Sequence, residues 1–177
     1  MPWIIDAPAL GHSYRKAVKF FLSQEKRLQN NHDLKTRSND FMLEYINMGH
    51  MKEVAAERCA DETGNVYYIP WISILRQDAV TTKLRNVFHA SMPTSNGVTL
   101  NDTMHEGPKL QNLIFNVKSG SRKFRYIYSA DITKMFRQIL IPPEDSDRMR
   151  IIWRAKQSYP LHEYELTTVT YGTDAAP

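Results

Sequence analysis

Residues 125–141, Arg-Tyr-Ile-Tyr-Ser-Ala-Asp-Ile-Thr-Lys-Met-Phe-Arg-Gln-Ile-Leu-Ile, hold the pattern with the greatest capacity for chemistry in this chain of 177 residues. Tyr126, Ile127, Tyr128 and Ser129 are aromatic, β-branched or small, whereas Met135, Phe136 and Ile139 recur at helix-like intervals, so the spacing predicts a strand running into a short helix. Asp131 stands where the period changes. Ligands of helix-covered sheets gather outside the carboxyl ends of strands, and a carboxylate at such a junction can reach a metal ion or a phosphate. The same place suits an N-cap, because a helix start leaves four backbone donors without partners and Asp is a favoured acceptor for them. The residues alone leave both readings open.

A second set of candidates is cationic. Lys83 to Phe88 alternate, with Lys83, Arg85 and Val87 on one face and Leu84, Asn86 and Phe88 on the other. Together with Arg76, the two cations could grip phosphates through charge-assisted bonds, or they could simply protect an exposed edge strand from aggregation. Glu144, Asp145 and Asp147 occupy a Pro-containing turn and read as solvated carboxylates. His12, His32, His50, His89, His105 and His162 show no paired spacing on one helix, which argues against zinc. Cys59 is the single cysteine, which excludes an internal disulfide framework and a cysteine-rich metal site. No Walker-type loop, Rossmann fingerprint or repeat period occurs.

The elements that must position these residues follow from periodicity. Tyr14, Ala17, Val18, Phe21, Leu22, Glu25 and Leu28 predict an amphipathic helix with Ser13 as its cap, broken at residues 30–33. Phe41, Met42, Tyr45, Ile46 and Met48 predict a second helix, ended by Gly49. The chain then becomes β-rich. Strands are expected at 66–69, stopped by Pro70, and at 71–75, 83–88, 126–129, 150–154 and 164–170, with a helix from Leu110 to about Gly120. Composition is that of a globular protein, 42% hydrophobic and 24% charged, and no apolar run approaches the roughly 20 residues of a membrane span. Residues 1–6 lack the pattern of a secretory signal, so an intracellular setting, cytoplasmic or nuclear, is expected rather than secretion. The net charge of +4 is compatible with a polyanionic partner.

Several separated segments, taken together, resemble one family, the reverse transcriptases of BEL/Pao-type long-terminal-repeat retrotransposons. They are Lys-Leu-Arg-Asn-Val-Phe-His-Ala-Ser (83–91), Thr-Ser-Asn-Gly-Val-Thr-Leu-Asn-Asp (94–102), Gly-Pro-Lys-Leu-Gln-Asn (107–112), Ala-Asp-Ile-Thr-Lys-Met-Phe-Arg-Gln-Ile (130–139) and Thr-Val-Thr-Tyr-Gly-Thr (168–173), in the family's order and approximate spacing. Tyr-Ile-Asn-Met-Gly-His-Met-Lys-Glu-Val (45–54) is similar to the segment that precedes the family's fingers. The resemblance implies an α+β right-hand polymerase with a mixed or antiparallel sheet and packed helices. Residues 1–64 would be an N-terminal helical extension, 65–125 fingers and 126–177 a partial, truncated palm.

The resemblance further implies that Asp131 is the first catalytic aspartate, binding Mg2+ or Mn2+ with the Ile132 carbonyl nearby. Phe136 would be the steric gate beneath the sugar, Lys83 and Arg85 the cations that meet an incoming dNTP, and Tyr171 and Gly172 the start of the segment packed against nucleotide and template. An RNA or DNA template-primer would be the partner, with Arg76, Lys83 and Arg85 as its contacts. Two positions depart from the family. His89 replaces the usual aspartate of Val-Phe-Asp-Ala-Ser, and Pro70-Trp71-Ile72-Ser73 replaces Pro-His-His. The Tyr-x-Asp-Asp motif is not within the 177 residues, so polymerisation by this chain alone is not expected. A non-catalytic descendant that binds nucleic acid or a protein partner is the alternative expectation.

Overall fold

Apolar side chains at three- and four-residue steps fold the start of the chain into two helices. The structure, a computed structural model, describes residues 1–59, 66–75, 84–108 and 111–174. Helix α1 (Tyr14–Gln29) buries Ala17, Phe21, Gln24 and Leu28, and helix α2 (His32–Asn47) buries Leu34, Ser38, Met42 and Tyr45. Helix α2 starts well before the apolar pattern that predicts it. Ser38 sits at one of its core positions, where its hydroxyl pairs with that of Ser73 at 2.7 Å, and this polar residue hides the period. Asn31 caps α2 by accepting from the Leu34 amide at 3.0 Å. Gly49, with φ +71°, follows its last turn in the left-handed conformation that suits glycine. Ser13 is not a side-chain cap for α1. Its hydroxyl accepts from the Tyr68 amide at 2.9 Å and ties the helix start to the β-rich part.

Three strands form an antiparallel sheet in the order β1 (Met51–Glu53), β5 (His162–Leu166), β4 (Arg150–Trp153). Met51 faces Leu166, and Ile151 faces Tyr164. Residues 66–69 run alongside β4 through a single parallel bridge between Tyr68 and Arg150, a shorter pairing than the expected strand. The Ile69 amide donates to the Arg150 carbonyl at 2.7 Å before Pro70, which has no donor, ends the contact. Strands β2 (Trp71–Leu75) and β3 (Leu84–Phe88) make a separate antiparallel pair, with Trp71 facing Phe88. The architecture is α+β. Helices and strands share one core that includes Met42, Tyr45, Tyr67, Ile69, Trp71, Phe88 and Ile151.

Downstream the expected helix forms, and three other expectations fail. Helix α3 (Ile114–Ser121) forms close to where its spacing predicts, yet it buries no residue. Residues 126–129 are not a strand. Tyr126, Ile127 and Tyr128 are 68%, 62% and 92% exposed and join no ladder among the described residues. β-propensity describes side chains suited to a pleated, half-buried surface, and here no neighbouring backbone completes that surface. The short helix expected after Asp131 contracts to a 3-10 turn at Met135–Gln138, because Lys134 adopts a left-handed φ of 52° and breaks the helical bonding at its start. Strand β5 also ends earlier than its sequence suggests. The chain beyond it pairs instead with residues 139–141, where Leu140 bridges Thr168 and the Val169 amide donates to the Ile139 carbonyl at 3.0 Å.

Candidate functional site

That late pairing lays the turn at 135–138 beside residues 168–172 and gathers a chemical cluster outside the sheet. Arg137 lies at its centre, 2% exposed. Its guanidinium carbon stands 4.2 Å from the Tyr45 ring centroid, 5.4 Å from that of Phe88 and 5.6 Å from that of Tyr171. Two threonine hydroxyls accept from it, Thr170 at 2.6 Å and Thr168 at 3.3 Å. No carboxylate forms an ion pair with it among the described residues. Burial draws its pKa below the ordinary arginine value while Tyr45 and Tyr171 oppose that shift, and an arginine so shifted is still a cation in neutral solution.

Phe136, next in the chain and half-buried, meets Tyr171 edge to face with ring centroids 6.0 Å apart. Gly172 then passes so close to β3 that a Cβ on it would lie 2.0 Å from the Phe88 carbonyl oxygen. Its φ of +89° belongs to the same requirement. The Gly172 carbonyl accepts from the Asn101 side chain at 3.3 Å, and that side chain accepts from the Asp174 amide at 3.3 Å. On the other side, Lys134 pairs with Glu44 of α2 at 2.5 Å, and His50 packs edge-on to Tyr45 at 5.6 Å. Burial first, then Arg137 and Lys134, hold the His50 pKa below its ordinary value against the opposing pull of Glu44.

Phe136, Tyr171 and Gly172 therefore come together, joined to the strand that carries Arg85, which is exposed. Asp131 and Ile132 are exposed on the irregular segment before the turn, and Asp131 is neither at a strand end nor a helix cap. Lys83 and Arg76 lie outside the described residues. One carboxylate and one adjacent carbonyl do not fit a two-metal site, since hard divalent ions take about six oxygen ligands each. Among the described residues, no group of three or more His, Cys, Asp or Glu side chains gathers where an ion could sit.

A second polar cluster belongs to the sheet. Asp147 receives Arg58 at 2.5 Å and Arg150 at 2.6 Å, while Glu165 receives Lys52 at 2.8 Å and Arg58 at 2.9 Å. Glu163 takes the Tyr68 hydroxyl at 2.7 Å and Arg150 at 3.2 Å. For Asp147 and Glu165 burial alone would raise the carboxyl pKa, and the paired cations, with the Ser146 hydroxyl on Glu165, outweigh it and lower both. The turn carboxylate Asp147 is thus ion-paired rather than merely solvated, and Asp145 accepts from the chain's amino terminus at 2.6 Å.

The residues that the sequence did not mark as belonging to a site are Arg137, Tyr45, Thr168, Thr170 and Asn101. A signal for two of them exists, because Thr168 and Thr170 alternate in an extended run and must face one side together. Arg137 gives no such signal, since an arginine amid apolar neighbours is read as a surface residue until its partners are known. Comparison with models of known protein families and with curated proteins finds no match for this chain.

Proposed function

We propose that the chain is part of a retroelement RNA-directed DNA polymerase, corresponding to fingers and the first portion of palm. One observation carries this reading. Segments selected by resemblance, far apart in sequence, meet around one point: Tyr45 from 45–54, Phe88 from 83–91, Asn101 from 94–102, Phe136 and Arg137 from 130–139, and Thr168, Thr170, Tyr171 and Gly172 from 168–173. A chance likeness in short segments gives no reason for them to share a location. In this reading Phe136 and Tyr171 form the floor for the nucleotide sugar and base, Arg85 and Lys83 meet the triphosphate, and Asp131 contributes one carboxylate to metal binding. With a single such carboxylate, the 177 residues bind template-primer without extending it.

The test is filter or fluorescence binding of a primer-template at several salt concentrations, beside a primer-extension assay. Affinity falls steeply with salt and weakens when Lys83 and Arg85 become Ala, while no extension product forms. Salt-independent or absent binding removes the reading, and Asp131-dependent synthesis by this chain refutes the claim that it is inactive alone.

A second reading, nucleic-acid binding without any catalytic past role for Asp131, has its own support. Residues 107–130 contain no Asp or Glu, and Lys118, Arg122, Lys123 and Arg125 alternate with the exposed aromatics Phe124, Tyr126 and Tyr128. Arg125 stacks on Tyr126 at 5.4 Å. Cations interleaved with exposed rings suit a single strand, whose phosphates and bases they can take in turn. Under this reading Arg122→Ala and Tyr128→Ala weaken binding while Lys83→Ala and Arg85→Ala leave it unchanged.

A further inference from the structure

We infer that Arg137 is the positioning residue that holds the Phe136–Tyr171 pair in place, an inference that rests on the polymerase reading for what the pair touches. A fully buried guanidinium with no carboxylate partner is costly, and its Nε atom has no hydrogen-bond partner among the described residues. What retains it is geometry. The Tyr45 ring lies against the cation, and the rings of Phe88 and Tyr171 flank it. The planar fork reaches Thr168 and Thr170 together, so one side chain fixes two points of the segment that leads directly into Tyr171. Phe136, covalently adjacent to Arg137, is set by the same anchorage and meets Tyr171 edge to face. Tyr171 is 39% exposed, so one side is held by the cation and the other is open to a ligand.

The arrangement joins four parts of the chain: α2 through Tyr45, β3 through Phe88, the turn at 135–138, and residues 168–171. Lysine cannot replace it. An ammonium carries the charge, but it lacks the flat face for Tyr45 and the fork for two hydroxyls. Arg137 is buried, so its effect is on the discrimination made by Phe136 rather than on phosphate contacts.

Arg137→Met, Arg137→Lys and Thr170→Val test this in the full 177-residue chain, the last keeping the branched shape while removing the acceptor at 2.6 Å. Hydrogen exchange, read by mass spectrometry, compares residues 168–174 with residues 150–166. Exchange in 168–174 rises about ten-fold in Arg137→Met and about three-fold in Thr170→Val, with 150–166 unchanged. Photo-labelling by an azido deoxyribonucleoside triphosphate and its ribonucleotide counterpart on a primer-template reads the gate, and the deoxy-to-ribo ratio falls at least about three-fold. Arg137→Lys restores neither. Unchanged exchange at 168–174 in the folded variants overturns the inference, as does an unchanged labelling ratio beside accelerated exchange. Should Arg137→Met fail to fold, Thr170→Val decides. If the unmutated chain is labelled by neither nucleotide, the polymerase reading falls, and exchange alone then decides the anchoring.

Discussion

At the scale of single residues, positions whose neighbours leave no alternative give the sharpest expectations. Gly172 combines a positive φ with a backbone oxygen where a Cβ would lie, so Gly172→Ala meets both strain and a clash against a rigid strand. It costs at least about 2 kcal/mol, readable as a lower denaturant midpoint with an unchanged slope. Gly49, also at positive φ, has open space around the missing Cβ, and its alanine variant suffers only the backbone term, about 1 kcal/mol. His50 supplies a pH signature. Its folded pKa is depressed by burial and by the two cations beside it, so the unfolded chain takes up the proton first. Its contribution is complete above the unfolded pKa of about 6.5 and declines as the pH falls below it. His50→Gln removes that dependence. The drop in melting temperature between pH 7 and pH 5.5 is therefore smaller in the variant than in the parent chain.

Among the elements, those that were legible in sequence are those whose side chains settle their own environment. The period of Ala17, Phe21 and Leu28 is enough to place α1, and the alternation of Asn86 and Phe88 against Arg85 and Val87 is enough to orient β3, with the first two buried and the others exposed. The failures share a cause. Tyr126, Ile127 and Tyr128 have strand chemistry, but a strand also needs a neighbour's backbone, and a local pattern carries no information about whether one arrives. Ser38 fails in the opposite sense, since a polar residue occupies a core position for the sake of a hydroxyl partner that lies across the fold. Of the candidate site, Phe136, Tyr171 and Gly172 were singled out through resemblance, whereas Arg137 was not, because its partners come from three other segments. The stretch from Leu113 to Leu140 leaves Ile114, Phe115, Phe124, Ile127 and Tyr128 at least 62% exposed, which predicts self-association. Sedimentation velocity detects concentration-dependent species in the parent chain. Ile127→Ser with Tyr128→Ser reduces them and moves stability by no more than about 0.5 kcal/mol, since neither side chain is buried.

For the molecule as a whole, the sheet carries a network of ion pairs of alternating sign beside its apolar core. Arg58, Lys52 and Arg150 hold Asp147 and Glu165 below the usual carboxylate range, and the Arg154 pair does the same for Glu25. Carboxylates depressed in this way stabilise the fold above their unfolded pKa of about 4, and the contribution is lost as the pH falls through the folded values. Acid unfolding below that pH is the expected outcome, followed by circular dichroism. Arg150→Met, which takes the cation from buried Glu163 and from Asp147 together, costs about 3–5 kcal/mol. The box around Arg137 has a different consequence, one in time. Its walls are Tyr45, Phe88 and Tyr171, so the first wall leaves the ribosome long before the last. Contacts so distant in sequence close late and slowly. Until residue 171 has emerged, the nascent chain carries an aromatic cleft without its third wall, and Arg137 lacks the hydroxyls of Thr168 and Thr170 that anchor it. Chaperone engagement during synthesis, detectable by crosslinking to stalled chains that end before Thr168, is thus written into the order in which this box is assembled.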